Sequence, residues 1–269
     1  MRGVPTSERV YRTEAVVLRH QDLGEADRIL TLYTPRHGKI RVIAKGVRRP
    51  GSRKAGHVEL FMRTEMLIAR GRSLDIVTQA ELRDAFQPLR TDLVRMTYAS
   101  HFAELVDAFT EEGDDNPALY RLLVDGLGWL VHTENLRRTA RYYELHLLDL
   151  VGYRPELFRC TVCGEALKPQ DQYYSVAAGG VVCPSCGRDH PRAQSLSLRA
   201  LKVLRYLQTR PFEIVEQVRI SAPVQAECER LLYATLSYHL ERRLRSAAFL
   251  DRLRHEAAAL GRDNFSDSA

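Results

Sequence analysis

Two spacings of apolar and polar residues divide the chain. Over the first eighty residues, apolar positions alternate with polar ones at a period of two, the spacing of a half-buried strand. Five runs carry it: Val10–Arg19, Arg28–Thr34, Lys39–Lys45, Val58–Ala69 and Ser73–Ala80. Strand-breaking residues separate them: Asp22-Leu23-Gly24, Pro35 to Gly38, Gly46 through Gly56, and Arg70-Gly71-Arg72. Five short strands followed by helical sequence predict a small closed barrel of the oligonucleotide-binding (OB) type, with an open meander or an SH3-like barrel as the alternative.

From Phe86 the period lengthens to that of a helix. Leu89, Leu93, Met96, Ala99 and Ala103 form one stripe, which Phe102, Leu105 and Phe109 widen. Asn116-Pro117 is a helix start, with Asn as the cap and Pro at the first helical position. The helix it opens carries Leu119 to Val131, with Trp129 expected in the bundle. A third helix, Leu136–Val151, stops at Gly152 and Pro155. Later come a helix over Ser195–Gln208, closed by Pro211, and a long one from near Pro223, striped by Val224, Cys228, Leu231, Leu232, Leu236, Leu240 and Leu244. Residues 255–269 turn small and polar and are expected to be disordered.

Between the third and fourth helices the pattern changes. Cys160-Thr-Val-Cys163-Gly164 and Cys183-Pro-Ser-Cys186-Gly187 are two Cys-x-x-Cys pairs, and nineteen residues separate Cys163 from Cys183. That spacing points to a four-thiolate zinc site. Two disulfides would require an oxidising compartment, which nothing in the sequence indicates. The Gly after each pair is expected to supply positive φ for a tight turn. Tyr173–Val176 and Val181-Val182, flanking a Gly-Gly turn, predict a hairpin that brings the second pair over the first. Four thiolates close the coordination shell, so one structural Zn²⁺ per chain is expected, with His190 left as a surface residue. The fifth cysteine, Cys228, lies in an apolar stripe and reads as a small core residue.

The fold class is therefore α+β: an N-terminal five-stranded OB-type β-barrel, then an α-helical domain with an inserted four-cysteine zinc module. The expected domains are 1–82 (barrel), 83–156 with 194–254 (helical), 157–193 (zinc module) and 255–269 (tail). No run approaches the ~20 apolar residues of a membrane span, and the first residues lack an apolar signal core. A reducing cytosol, near the nucleoid, is the expected location.

Charge sharpens the picture. The net charge is +6, but residues 1–80 hold sixteen Lys or Arg against eight Asp or Glu. From Lys39 to Lys54 there are seven cations and no anion: Lys39, Arg41, Lys45, Arg48, Arg49, Arg53 and Lys54. Alternation places Ile40, Val42 and Ala44 on one face of their strand and Lys39, Arg41 and Lys45 on the other. Like charges this dense repel one another unless a counter-charge is supplied, and a nucleic-acid backbone supplies it. These seven are the candidate DNA-binding residues. Tyr11, Tyr33 and Phe61 are candidates for stacking on bases, against packing in the core.

Catalytic motifs are absent. There is no phosphate-binding Gly-rich loop, no His-Glu-x-x-His and no nucleophile elbow. Asp22, Glu25 and Asp27 are placed for turn chemistry and for pairing with Arg28, and a nuclease site needs carboxylates converging from several elements. A binding protein that is not an enzyme and takes no small-molecule substrate is expected. The alternatives are a metal-dependent nuclease or a zinc-ribbon nucleic-acid adaptor with an OB-type domain.

These pieces coincide in one known family. Asp22-Leu-Gly24-Glu25-Ala-Asp27-Arg28 through Thr34, Gly38-Lys39, and Ala44-Lys45-Gly46-Val-Arg48-Arg49 with Ser52-Arg53 resemble the bacterial recombination mediator family RecO. Leu150-Val-Gly152-Tyr153-Arg154-Pro155, running into Cys160-x-x-Cys163-Gly164, is similar to that family's entry to its zinc module. The resemblance covers roughly residues 8–250, and all four cysteine ligands are kept. It implies binding of single- and double-stranded DNA, annealing of complementary strands, and work with RecR, and in many bacteria RecF, to load RecA on DNA coated by single-strand-binding protein. It also implies that the helical domain docks the acidic, apolar C-terminal tail of that coating protein. Arg242, Arg243 and Arg245 on the last helix are the candidate partner-binding residues.

Overall fold

A computed structural model describes residues 9–188, 190, 192–241, 244–246, 249–250 and 252. The chain divides into two compact units, 1–131 and 132–269. In the first unit, β1 (Val10–Leu23), β2 (Asp27–Thr34), β3 (Gly38–Ala44), β4 (Arg63–Ala69) and β5 (Asp75–Asp84) close into a barrel of order β1-β2-β3-β5-β4. Closure depends on β1 serving two neighbours. Its first half, Val10 to Val16, pairs with β4, and Val16 to Leu23 pairs with β2. A bulge between Val17 and Arg19 bends the strand where it changes partner. Alternation then fills the barrel with Ala15, Val17, Leu30, Leu32, Val42, Ala44, Met66, Ile68 and Val77.

The fourth predicted run begins too early. Val58 and Phe61 lie in the connection before β4, 0% and 2% exposed: they are apolar because the loop plugs the core, not because they alternate in a strand. β5, by contrast, extends past the predicted Ala80 into polar sequence. Its exposed side is tied to β4 by an Arg83–Glu65 ion pair, and Glu65 also accepts from Arg12 of β1 at 3.0 Å.

Three helices follow in the same unit: α1 (Pro88–Thr91), α2 (Leu93–Phe109) and α3 (Pro117–His132), whose last residue falls past the division. Asp92 caps α2 by accepting from Val94 N and Arg95 N. Asn116 accepts from Leu119 N at 3.0 Å, the start expected from Asn-Pro. Leu89, Ala99, Phe102, Ala103 and Leu105 of the predicted stripe are buried, whereas Leu93 is exposed.

In the second unit α4 (Leu136–Leu150), α6 (Leu198–Thr209) and α8 (Ala222–Leu240) pack on one another. Between α4 and α6 lies a ribbon of β6 (Gln172–Ser175), β7 (Gly180–Val182), the short α5 (Pro184–Gly187) and β8 (Gln194–Leu196). The hairpin β6–β7 is the predicted one. The third strand, β8, occupies the start of the predicted Ser195 helix. Helix α6 begins only at Leu198, where Ser197 accepts from Ala200 N. A single turn, α7 (Phe212–Val215), separates α6 from α8.

Helix α4 is buried nearly all round, charges included. Arg141 is 4% exposed and Glu144 1%. Arg141 lies 2.5 Å from Glu144 and 3.1 Å from Glu229 of α8, which also holds Arg137 at 3.1 Å. Removing Glu144 takes the nearer of Arg141's two carboxylate partners out of a desolvated site, at a cost towards the lower end of about 3–5 kcal/mol because Glu229 remains. Glu144→Ala is expected to lower the free energy of unfolding by about 3 kcal/mol, read as a fall in the urea midpoint; an unchanged midpoint contradicts the network's role.

Candidate nucleic-acid interface and metal centre

Strand β3 carries cations outward because Val42 and Ala44 point in, both 0% exposed. The seven cations from Lys39 to Lys54 then sort by what holds them. Lys39 is the least available: its ammonium donates to Asp107 O at 2.6 Å and to Asp107 Oδ1 at 3.2 Å. Arg41 leans towards Glu112 at 3.9 Å. Arg48 donates to Gly24 O at 3.0 Å and lies 3.4 Å from Asp22. Lys54 reaches Val77 O at 3.0 Å, and burial pulls its pKa down. Lys45, Arg49 and Arg53 are exposed, with no side-chain partner among the described residues.

The loop after β3 is held by backbone geometry. Asp27 Oδ1 accepts from Gly46 N at 2.7 Å, and Arg48 N donates to Ala26 O at 2.9 Å. Successive turns, Arg49 N to Gly46 O, Ser52 N to Arg49 O and Ala55 N to Ser52 O, shape the rest. The loop therefore presents Arg49 and Arg53 on an ordered segment. Asp22 and Asp27 do turn and pairing work here, with Arg28 donating to Asp22 at 3.0 Å.

Of the aromatic candidates, Tyr33 and Phe61 are 0% and 2% exposed and belong to the core. Tyr11 is half-buried and faces a cleft. Sequence reading passed over Arg36, Arg70 and Arg72, exposed cations on the β2–β3 and β4–β5 turns; they sit among breaker residues, where alternation gives no face. Arg242 and Arg243 lie outside the described residues, as does the tail 255–269. Arg245 is exposed.

In the second unit the four predicted cysteines converge. The sulfurs of Cys160, Cys163, Cys183 and Cys186 all lie within 4.8 Å of one another, with Cys163 and Cys183 at 3.9 Å. Metal–thiolate bonds of about 2.3 Å in a tetrahedron place sulfurs about 3.8 Å apart, so the donor set fits one metal ion. Among the described residues these four form the one group that could hold a metal, and His190 is not part of it. Thr161 N donates to Val181 O at 2.9 Å, tying the first knuckle to the hairpin.

Backbone N–H groups tune the site. Burial pushes the Cys160 thiol up, but N–H groups of Cys163, Cys183 and Val162 outweigh it and bring the pKa to about 6. Cys186 is pushed up to about 12 by its hydrogen bond to Cys183, by burial and by the other thiols. Four ionised thiols at this separation repel, and a divalent cation relieves that repulsion. The two knuckle glycines act differently. Gly164 has φ +76°, as expected. Gly187 does not need positive φ; a Cβ there would lie 2.5 Å from the Tyr173 ring, so close approach is what demands glycine.

An OB-type barrel with an outward basic strand, joined in sequence to a helical unit bearing a four-cysteine ribbon, defines an α+β protein with a cluster able to hold a metal ion. The family model "Recombination protein O N terminal" matches residues 9–86 and "Recombination protein O C terminal" residues 90–248. The DNA repair protein RecO of Roseiflexus sp. (strain RS-1) is 47% identical over 92% of this chain and 87% of its own length. Those of Pelotomaculum thermopropionicum and Desulforamulus reducens are 40% and 36% identical, over 94% and 91% of this chain and 98% and 95% of theirs. The chain belongs to the RecO family of DNA repair proteins. No helix among the described residues is long and apolar enough to cross a membrane.

The pairing pattern separates structural cations from available ones. Lys39→Ala removes a charged hydrogen bond and is expected to cost about 2 kcal/mol. Arg49→Ala and Arg53→Ala are expected to stay within about 0.5 kcal/mol of the parent in urea unfolding.

Proposed function

We propose that this protein is a non-catalytic mediator of recombinational repair that binds single- and double-stranded DNA and anneals complementary strands. With RecR, and RecF where present, it helps load RecA on DNA coated by single-strand-binding protein. The observation that carries the reading is a set of cations with no side-chain partner among the described residues, Lys45, Arg49 and Arg53, on an ordered segment of an OB-type barrel in a RecO-family chain. Arg41 and Arg48, beside exposed carboxylates, extend that surface, while Lys39 and Lys54 fix its shape.

Phosphate neutralisation lets two strands approach, and base pairing then supplies the free energy, so no nucleotide hydrolysis is needed. Docking of the coating protein's acidic, apolar C-terminal tail on the helical domain, through Arg242, Arg243 and Arg245, is the partner contact in this scheme, and the cytoplasm is its setting. The bound metal is Zn²⁺: four thiolates suit a soft, tetrahedral d¹⁰ ion and leave no open position for water. Zn²⁺ there supplies structural cross-linking of the two knuckles and no chemistry.

Two outcomes are expected. The triple variant Lys45→Glu/Arg49→Glu/Arg53→Glu weakens DNA binding and reduces the slope of log affinity against log salt by about 1 per residue, with annealing of coated complementary strands lost in parallel. Unchanged affinity removes the surface from the reading, and cleavage of labelled DNA with Mg²⁺ would establish a nuclease instead. Separately, elemental analysis finds one zinc per chain, and chelation or Cys163→Ser lowers the melting temperature; metal-free protein with unaltered melting contradicts the zinc assignment.

A further inference from the structure

Beside β3, within the first unit, a cleft of about 510 Å³ opens between the β2–β3 turn, the β4–β5 turn and the segment after α2. Its volume lies in the roughly 300–1,000 Å³ range of small-ligand sites. The Tyr11 and His37 rings lie on it, centroids 4.7 Å apart. The guanidinium of Arg70 lies over the Tyr11 ring, 4.5 Å from its centroid. Arg36 also lines the cleft; it is exposed and has no side-chain partner among the described residues.

One carboxylate organises the aromatic side. Asp75 accepts from the Tyr11 hydroxyl at 2.9 Å, from Arg70 at 3.3 Å and from Gly71 N at 3.0 Å. The ring is therefore fixed in place before any ligand arrives. Gly71 cannot carry a Cβ, which would lie 1.9 Å from Leu74 O, so this turn is tightly shaped. The wall after α2 carries Glu112 and Asp115, beside Lys39 and Arg41 of β3. Its segment is seated on β3 by Gly113 N donating to Lys39 O at 3.0 Å. A Cβ at Gly38 would lie 2.0 Å from Asp114 O, so that seating requires glycine.

A duplex buries its base faces, whereas a single strand exposes them to aromatic rings. A preset ring pair with Arg70 over the Tyr11 face, with Arg36 on the same cleft and carboxylates on the wall after α2, matches one nucleotide of an unpaired strand. We infer that this cleft is a single-nucleotide seat that holds the base of a single DNA strand against Tyr11 and His37, with its phosphate at Arg36 and Arg70 and with Asp75 as the positioning residue. The inference rests on the DNA-binding reading above and adds to it a set of residues distinct from Lys45, Arg49 and Arg53.

The test compares a thymidine oligonucleotide with an abasic oligonucleotide of equal length, at fixed salt, by fluorescence anisotropy. The parent protein is expected to prefer the base-bearing strand about tenfold, the scale of one base–aromatic stack. Tyr11→Leu and His37→Ala each bring that ratio towards one. Because Tyr11 holds the barrel wall and its variant can fail to fold, His37→Ala alone is enough to decide the matter. The triple charge-reversal variant lowers both affinities and keeps the ratio. A parent ratio of one, or a ratio unmoved in His37→Ala, overturns the seat while leaving the phosphate-binding surface intact. Unaltered affinity in the charge-reversal variant would instead remove that surface.

Discussion

Repulsion among like charges is the constraint this barrel is built around. Seven cations follow one another without an anion between Lys39 and Lys54, and such a run opposes compact folding wherever its charges are brought close. The fold disposes of the repulsion unevenly. Lys39 and Lys54 reach back to Asp107 and to Val77 O and fasten β3 and its loop to neighbouring elements. Arg41 and Arg48 face exposed carboxylates in high dielectric, contacts worth about 1 kcal/mol or less, which a phosphate can displace. Lys45, Arg49 and Arg53 are left to solvent. The cost of the run is thus lowered where the structure needs it fixed and kept where a ligand's charge can relieve it.

The same logic operates with opposite sign in the ribbon. Four sulfurs within 4.8 Å cannot all ionise unaided: against burial, backbone N–H groups bring Cys160 down to about 6, while a hydrogen bond to Cys183, burial and the other thiols push Cys186 up to about 12. A divalent cation collapses that spread by favouring every thiolate at once. With a metal bound there, as proposed, its binding and the folding of the ribbon become one equilibrium, as small thiolate sites generally show. Tyr173 packed against Gly187 couples the second knuckle to β6, so loss of the metal reaches the hairpin directly.

Much of this was legible in the sequence because a period of two or 3.6 survives wherever one face meets solvent. The barrel strands showed it, and Val42 and Ala44 point inward as alternation required. Legibility failed where burial did not follow a period. Val58 and Phe61 looked like strand residues because a loop plug is as apolar as a strand face. Helix α4 hides Arg141 and Glu144, and no pattern announces a buried ion pair whose partner, Glu229, lies on another helix. Strand β8 is three residues long, too short for a period, and the Ser197 cap lies within the predicted helix. The cysteine cluster was legible for a different reason: metal geometry fixes the short spacings within each pair. The cleft beside β3 was not, since Tyr11, His37 and Arg70 come from three separate segments and only barrel closure makes them neighbours.

A mediator of the proposed kind must also let strands go, and the energies of the two proposed sites bear on that. Stacking on an aromatic ring is worth about 1–3 kcal/mol per base, while a step of duplex contributes about 1.4 kcal/mol. A single seated base is then held about as strongly as one step of duplex would hold it. Binding through many such seats would trap the strand, whereas one seat marks it as unpaired and yields once pairing has run past it. Phosphate contacts sense charge density, which is higher on a duplex, and not whether a base is paired. In the proposed scheme the exposed cations set how much DNA is gathered, and the Tyr11–His37 cleft sets which strand form is held until its complement arrives.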